Sequence, residues 1–299
     1  MERYARLGSW LMNGLGLYFI WANMGLDKPE KPEPHTFLQA VYWAIFLCIC
    51  RYICTKYLFT TIGSKWIVSK KGKSQKVAKF ATCAFKALCF AVLVWFEWKV
   101  LSEQEYTPRL LLGAGRTTHL WTPGYIPPPS IVSVFMASLG YHIHSTVYHM
   151  LFIEKRSDYN QMVLHHVITL WLMIFAQMEG HLRGGMMIVL LNDVPDIFVY
   201  LSKMLGDTIF VKTSIVSYVL LTVSYFYFRL IVAPVSIIWS MITEADSMAR
   251  FDVWVYTGFL GSLYLLHLYW FILIVKIGVN IVTTGSRKDI LADITSSDD

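Results

Sequence analysis

The chain has 299 residues, of which 56% are hydrophobic, 15% aromatic and only 15% charged. About a quarter of the residues of a soluble domain are charged, so this composition excludes a water-soluble fold. The net charge of +6 collects in loops between apolar blocks, as charges that orient a membrane protein do, and we therefore predict no nucleic-acid partner.

Apolar blocks of membrane-spanning length recur along the chain. Blocks of roughly 17 to 25 mostly apolar residues can cross a bilayer as helices, and they occur near 7–24, 37–61, 80–101, 131–153, 161–178, 186–205, 213–242 and 252–282. The first block contains three glycines and Asn13, so an interfacial helix is the alternative there. The sequence predicts an all-α, polytopic membrane protein with seven or eight transmembrane helices.

A lysine-rich loop sets the predicted orientation. The loop 63–79 carries six lysines, and short basic loops stay in the cytosol. Alternating sides from this loop places Lys155 and Arg156 in the cytosol and the loop 106–129 in the lumen. The last residues, 296–299, are Ser-Ser-Asp-Asp, a composition typical of a disordered tail.

Ionisable side chains concentrate in two of the predicted spans. His165 and His166 lie in one span, and Asp193 and Asp196 lie in the next. Charged groups at membrane depth are costly and usually mark function. On a helix the two adjacent histidines point about 100° apart, so they cannot chelate one metal ion, and we predict no metal site. Buried carboxylates beside imidazoles instead indicate an acid/base centre.

Other polar residues in the spans have a plainer interpretation. A lone histidine inside a membrane helix more often makes a hydrogen bond to a neighbouring helix than it performs chemistry. We interpret four histidines in this way: His142, His144, His149 and His267. We expect Arg51 and Lys86 to extend towards the membrane surface or to pair near span ends.

The polar residues carry a resemblance to a known family. The segments that carry it are Glu154-Lys-Arg156, His165-His166-Val-Ile-Thr169, Arg183-Gly-Gly185, Asp193-x-x-Asp196 and Lys203-Met204. They resemble the signature of the TLC-domain family, and most closely its ceramide synthase (longevity-assurance) branch. Arg229 with Pro234 is similar to the penultimate span of that domain.

The resemblance implies an enzyme of the endoplasmic reticulum membrane. Such an enzyme transfers a fatty acyl group from acyl-CoA to the amine of a sphingoid base, within six spans that form a helical barrel around a lipid tunnel. It implies the catalytic residues His165, His166, Asp193 and Asp196, and the substrate-binding residues Asn192, Thr169, Arg183, Lys203, Lys155 and Arg156. Acyl-CoA is a co-substrate and no cofactor is implied, while a homodimer and a small regulatory subunit are both compatible with the apolar spans.

The resemblance also divides the chain. It predicts N-terminal anchor spans and a basic cytosolic loop in 1–75, the TLC domain in 76–282, and a cytosolic, disordered acidic tail in 283–299. The chain departs from the family pattern at Asn192, where the family usually has a histidine, and at Ala176-Gln177, where it usually has Ser-Tyr. Asparagine cannot carry a proton at neutral pH.

Two other functions compete with the acyltransferase. The first is a non-enzymatic TLC-domain protein that binds, senses or traffics lipid, for which Asn192 is the best argument, since a fold does not fix a reaction. The second is a di-iron desaturase or hydroxylase, which needs several HxxHH or HxxxH motifs to fill two metal shells. No HxxHH motif occurs in the chain.

Overall fold

A computed structural model describes residues 34–113, 115, 117–121, 126–152, 158–245, 248 and 250–284. Seven long helices account for most of them, with short 3₁₀ turns at Arg109–Leu111 and Thr117–Leu120. The helices are α1 (Pro34–Ile53, continued by π-helical Cys54–Phe59 and by Thr60–Trp66), α2 (Lys73–Ser102), α3 (Pro129–Phe152), α4 (Tyr159–Met178), α5 (Leu182–Leu205), α6 (Val211–Tyr225, continued to Glu244) and α7 (Arg250–Thr284). No strand occurs in the described residues.

Six of these helices are long and apolar enough to cross a membrane, namely all except α3. Helix α3 has 24 residues, enough to span, but it carries His142, His144 and His149. The predicted all-α polytopic membrane fold is confirmed. The first predicted block, 7–24, and most of the predicted tail lie outside the described residues. The number of spans, seven or eight, therefore stays a prediction, and so do the domain boundaries.

Helix α6 changes geometry in its middle because of a proline. It turns π-helical at Phe226–Val232 and again at Pro234–Trp239, and ends as a short α-helix, Ser240–Glu244. Pro234 has no backbone N–H to donate, so the regular ladder cannot pass through it, and local π-helical adjustment is one way in which a transmembrane helix satisfies the freed backbone groups. Arg229 lies on the first π turn and is buried.

Six helices pack side by side as a closed barrel. The neighbours around it are α2, α3, α4, α7, α6 and α5, and α5 returns to α2, with which it packs most extensively. Helix α5 also contacts α3 and α4 across the barrel, and α1 lies against α3. The buried apolar core fills the interior, with Phe135, Met136 and Met186 among its fully buried members. This is the six-helix barrel that the resemblance implied.

The outer surfaces of the helices are apolar. Exposed side chains include Tyr42, Phe46 and Ile49 on α1 and Trp254 and Leu265 on α7. Exposed apolar faces of this extent are disfavoured in water but match the hydrocarbon of a bilayer. The chain is therefore a multi-pass membrane protein.

Helices α1 and α3 approach closely at Gly140, and this contact predicts a destabilising substitution. A Cβ atom at Gly140 would lie 2.5 Å from Trp43 Cβ and 2.6 Å from the carbonyl oxygen of Ala40. We expect Gly140→Ala to push the helices apart and to destabilise the fold by about 1–3 kcal/mol. Thermal unfolding of the detergent-purified protein measures the effect as a lower midpoint.

The matched control is Gly258→Ala on α7, where no atom lies within 4 Å of the added Cβ. Alanine favours a helix over glycine by about 1 kcal/mol, so the midpoint of this variant should stay or rise. An unchanged midpoint in Gly140→Ala would show that the α1–α3 contact is looser than the structure indicates.

Candidate functional site

A cavity opens inside the barrel between α3, α4, α5 and α7. Polar side chains from three helices meet apolar ones at its wall. The lining residues are His142, His165, Thr169, Leu172, Met173, Gly185, Ile188, Val189, Asn192, Asp193, Asp196 and Leu263. Five of the predicted site residues are among them: His165, Thr169, Asn192, Asp193 and Asp196.

Asp193 is the most buried acid of the cavity, with no exposed surface. Its Oδ1 lies 3.5 Å from His142 Nε2, which reaches it from α3. The Glu97 carboxyl of α2 also lies close to Asp193. Glu97 is also fully buried, and its Oε1 accepts a 2.6 Å hydrogen bond from Ser138 Oγ. Asp193 therefore joins groups from α2 and α3 to the cavity on α5.

Asp196 is held by a cation from a different helix. Arg229 of α6 donates through Nη2 to Asp196 Oδ1 at 2.7 Å and to the Asn192 carbonyl oxygen at 2.5 Å. The guanidinium is buried and also lies over the Tyr225 ring, 4.6 Å from its centre. Because one guanidinium binds a side chain and a backbone group one turn apart, it fixes this turn of α5 against α6.

His165 has aromatic neighbours. Its ring lies 5.3 Å from Trp270, 5.6 Å from His166 and 6.1 Å from His267, measured between ring centres. Within the described part of the chain, its Nδ1 has no hydrogen-bond partner. A proton on His165 would therefore place an unpaired charge in apolar surroundings, which is costly. A neutral imidazole is a potential nucleophile.

His166 faces a different direction from His165. It is buried, its ring lies 5.4 Å from that of His149 on α3, and it does not line the cavity. Adjacent helical residues diverge by about 100°, so only one of the paired histidines reaches the cavity. His166 can support the position of α4 against α3, and its predicted catalytic role stays a prediction.

The remaining predicted site residues lie away from the cavity or outside the described residues. Arg183 lies in the first turn of α5 and over the Tyr106 ring, 5.5 Å from its centre. Lys203 is exposed near the opposite end of α5. Asn192, by contrast, lines the cavity, and it donates through Nδ2 to the carbonyl oxygen of Ile188 at 2.8 Å, within its own helix. Lys155 and Arg156 lie outside the described residues.

Arg51 and Lys86 are buried rather than extended to a surface. Lys86 Nζ donates to the Tyr200 hydroxyl at 3.2 Å. Arg51 lies over the Tyr148 ring, 3.2 Å from its centre. Of the two expected alternatives, extension to the membrane surface was wrong for both side chains; they pair instead, because tyrosine rings within the fold offer them polar and π partners.

Sequence reasoning did not select His142 and Glu97. His142 was interpreted as a helix contact, and Glu97, in the segment Trp95-Phe-Glu-Trp98, received no role. The available signal was that Glu97 is an ionisable residue inside a span, which is a functional candidate by default. Ser138 and His142 are also four residues apart and so share one helix face.

A metal centre has no support in the described residues. No group of three or more histidine, cysteine, aspartate or glutamate side chains there is placed to hold an ion. A di-iron site requires two such coordination shells. What the cavity offers is an uncharged imidazole, a second imidazole paired with a carboxyl group, and an apolar wall.

Comparisons with known proteins agree on one family. A family model described as the TLC domain matches residues 79–276. ASC1-like protein 1 of Oryza sativa subsp. japonica is 25% identical over 298 residues, covering 94% of this chain and 96% of that protein. Ceramide synthase LOH2 of Arabidopsis thaliana is 25% identical over 298 residues, covering 93% and 99%. Ceramide synthase 4 of Homo sapiens is 28% identical over 179 residues, covering 59% and 45%.

Proposed function

Because the chain belongs to the TLC-domain family, we propose that it is a sphingoid-base N-acyltransferase, a ceramide synthase that uses fatty acyl-CoA. The relatives named ceramide synthase support this reaction. The observation that carries the proposal is the cavity inside the barrel, where His165 and Asp193 face an apolar wall that includes Leu172 and Leu263. An acyl chain requires such a wall, and acyl transfer requires a nucleophile or base beside it.

In the proposed reaction His165 receives the acyl group. Its ring nitrogen attacks the thioester carbonyl carbon, the C–S bond breaks, and CoA leaves as a thiolate that takes up a proton. The amine of the sphingoid base then attacks the acyl-imidazole, the new C–N bond forms, and His165 is released. The amine nitrogen gives up its surplus proton to a base in the cavity. His165 as a general base for direct attack is the alternative within the same proposal.

The proposal assigns the other residues to binding and proton handling. Asp193, with Asp196 held by Arg229, handles protons and positions the reacting groups, and His166 supports α4. Thr169 and Asn192 contact substrate in the cavity. Lys155, Arg156, Arg183 and Lys203 are proposed to bind the charged parts of the substrates, with the cations nearest the cytosol binding CoA. We propose the endoplasmic reticulum membrane as the location and acyl-CoA as the co-substrate, with no cofactor.

Purified protein with sphinganine and acyl-CoA of several chain lengths tests the reaction, and Asp193→Asn tests the site. We expect N-acylated product from the wild type. Asparagine keeps the shape of Asp193 but removes its charge, so the rate should fall by about 10²–10⁴-fold. Mass spectrometry of the product measures both results.

The matched control for this variant is Asp207→Asn. Asp207 binds Lys79 at 3.4 Å near the start of α2, at a partly exposed site, where an ion pair contributes about 0–1 kcal/mol. This variant should keep the wild-type rate. Equal rates in both variants would remove Asp193 from the mechanism.

A non-enzymatic lipid-binding protein is the second candidate, and Asn192 favours it. The residue lines the cavity, and its amide nitrogen is engaged by α5 itself. If folded wild-type protein binds acyl-CoA but forms no product at any chain length, the lipid-binding function holds. Asn192→His is then the variant that tests whether one titratable side chain restores turnover.

A further inference from the structure

His142 differs from the other histidine of the cavity in having a carboxylate beside it. Of the two that line it, His142 and His165, only His142 has a carboxylate oxygen within 4.0 Å among the described residues, Asp193 Oδ1 at 3.5 Å. His142 is buried, and Asp193 is fully buried. A proton taken up by His142 would therefore be paired at once with an adjacent carboxylate, which offsets the cost of the buried charge.

The position of one proton, on Glu97 or on Asp193, determines whether Asp193 is charged. Two carboxylates only accept hydrogen bonds, so the Glu97 and Asp193 carboxyl groups can bond to each other only when one of them holds a proton. Ser138 donates to Glu97 Oε1 at 2.6 Å, whereas Glu97 Oε2 accepts from no donor among the described residues and is the oxygen free to carry that proton. With the proton there, Glu97 can donate to the nearby Asp193 carboxylate, which then keeps its negative charge towards His142.

We infer that His142 is the base that takes the proton of the attacking amine, with Asp193 as its counter-ion and Glu97 as a positioning residue. This inference rests on the proposed function. When the amine nitrogen bonds to the acyl carbon, its N–H bond breaks and the proton moves to the His142 ring, while the electron pair stays on nitrogen as the amide forms. The imidazolium, stabilised by the Asp193 carboxylate, later returns its proton to solvent.

The geometry separates the two chemical roles onto different helices. His165 on α4 has aromatic neighbours and, among the residues that the structure describes, no carboxylate oxygen within 4.0 Å, which suits a neutral nucleophile. His142 on α3 has a carboxylate, which suits a base. Both open on the same cavity. A substrate between α3 and α4 can thus meet the nucleophile from one side and the base from the other.

The two halves of the reaction test the inference separately. CoA release without sphingoid base reports acylation, and product formation with sphinganine reports transfer to the amine. We expect His142→Gln to keep acylation near the wild-type rate but to slow transfer by about 10²–10⁴-fold. Transfer should recover as the pH rises from about 7 to about 9, because the amine then loses its proton to solvent.

His144→Gln is the matched control, since His144 is also buried on α3 but packs on Phe85 and Tyr141 outside the cavity.

A second pair of variants addresses Glu97. Glu97→Gln keeps a donor towards Asp193 and should stay within a few-fold of the wild type, whereas Glu97→Leu should slow transfer and spare acylation. If His142→Gln does not fold, this pair of variants still tests whether the carboxyl pair beside His142 acts in transfer to the amine.

The outcomes separate this inference from the proposed function. If the wild type forms no product with any acyl-CoA, both fall. Only the inference falls if the wild type forms product and His142→Gln behaves like His144→Gln. The same holds if His142→Gln loses acylation and transfer equally and transfer does not recover at high pH. Equal losses in Glu97→Gln and Glu97→Leu would also remove Glu97 from its positioning role.

Discussion

Replacing His165 with alanine is expected to reduce N-acylation by about 10³-fold or more, with little effect on folding. The ring is half-buried at the cavity and, in the described part of the chain, its Nδ1 has no hydrogen-bond partner. Its loss therefore breaks no hydrogen bond at that atom but removes the proposed nucleophile. Both CoA release and product formation should fall together, because CoA leaves as the acyl-imidazole forms and the product is made from it.

His166→Ala gives the informative contrast to His165→Ala. It changes the neighbouring residue, whose ring packs on His149 away from the cavity. We expect a smaller loss of activity and a lower thermal midpoint, because the ring fills space between α3 and α4. A larger loss of activity in His166→Ala than in His165→Ala, with both proteins folded, would reverse the roles assigned to the pair.

The positions of the helices were largely predictable from sequence. A membrane span must bury its backbone polar groups in a helix and present apolar side chains to lipid, so length and hydropathy locate it. The blocks predicted at 161–178 and 186–205 correspond to Tyr159–Met178 and Leu182–Leu205. The largest shift is in α2, where the helix begins at Lys73 instead of near residue 80. Its first turns are basic, and Lys76 and Lys79 pair with Asp207 near the end of α5.

The arrangement of the helices was less predictable. Helix α7 lies between α4 and α6 in the barrel. It therefore contacts α4, although α5 and α6 separate these two helices in the sequence. Hydropathy does not encode neighbours, because lipid and protein interior are similarly apolar. The order within the barrel comes from the structure, not from the pattern of apolar residues.

The residues of the candidate site were also predictable only in part. Adjacent histidines and paired aspartates stand out because clustered ionisable residues are rare at membrane depth, and the structure brings His165, Asp193 and Asp196 to one cavity. His142 and Glu97 are single residues on two other helices. Glu97 and its partner Ser138 are 41 residues apart, so only packing shows their relation to Asp193. Packing likewise decides that His165, and not His166, lines the cavity.

Replacing Arg229 with methionine is expected to destabilise the fold by about 3–5 kcal/mol, since removing one partner of a buried ion pair leaves the other charge uncompensated. Arg229 is 4% exposed, and it binds both Asp196 and the carbonyl of Asn192. Methionine fills similar volume without these bonds. The thermal midpoint in detergent should drop strongly, and N-acylation should be lost because this turn of α5 lines the cavity.

The double variant Arg229→Met with Asp196→Leu separates a lost charge pair from lost packing. Replacing both partners of a buried pair by apolar residues is often neutral or stabilising, so the midpoint should return most of the way to the wild type while activity stays absent. Arg250→Met, at an exposed position at the start of α7, should change neither property. If the double variant is as unstable as Arg229→Met alone, Arg229 stabilises α5 through the Asn192 carbonyl and its own packing, not through the charge of Asp196.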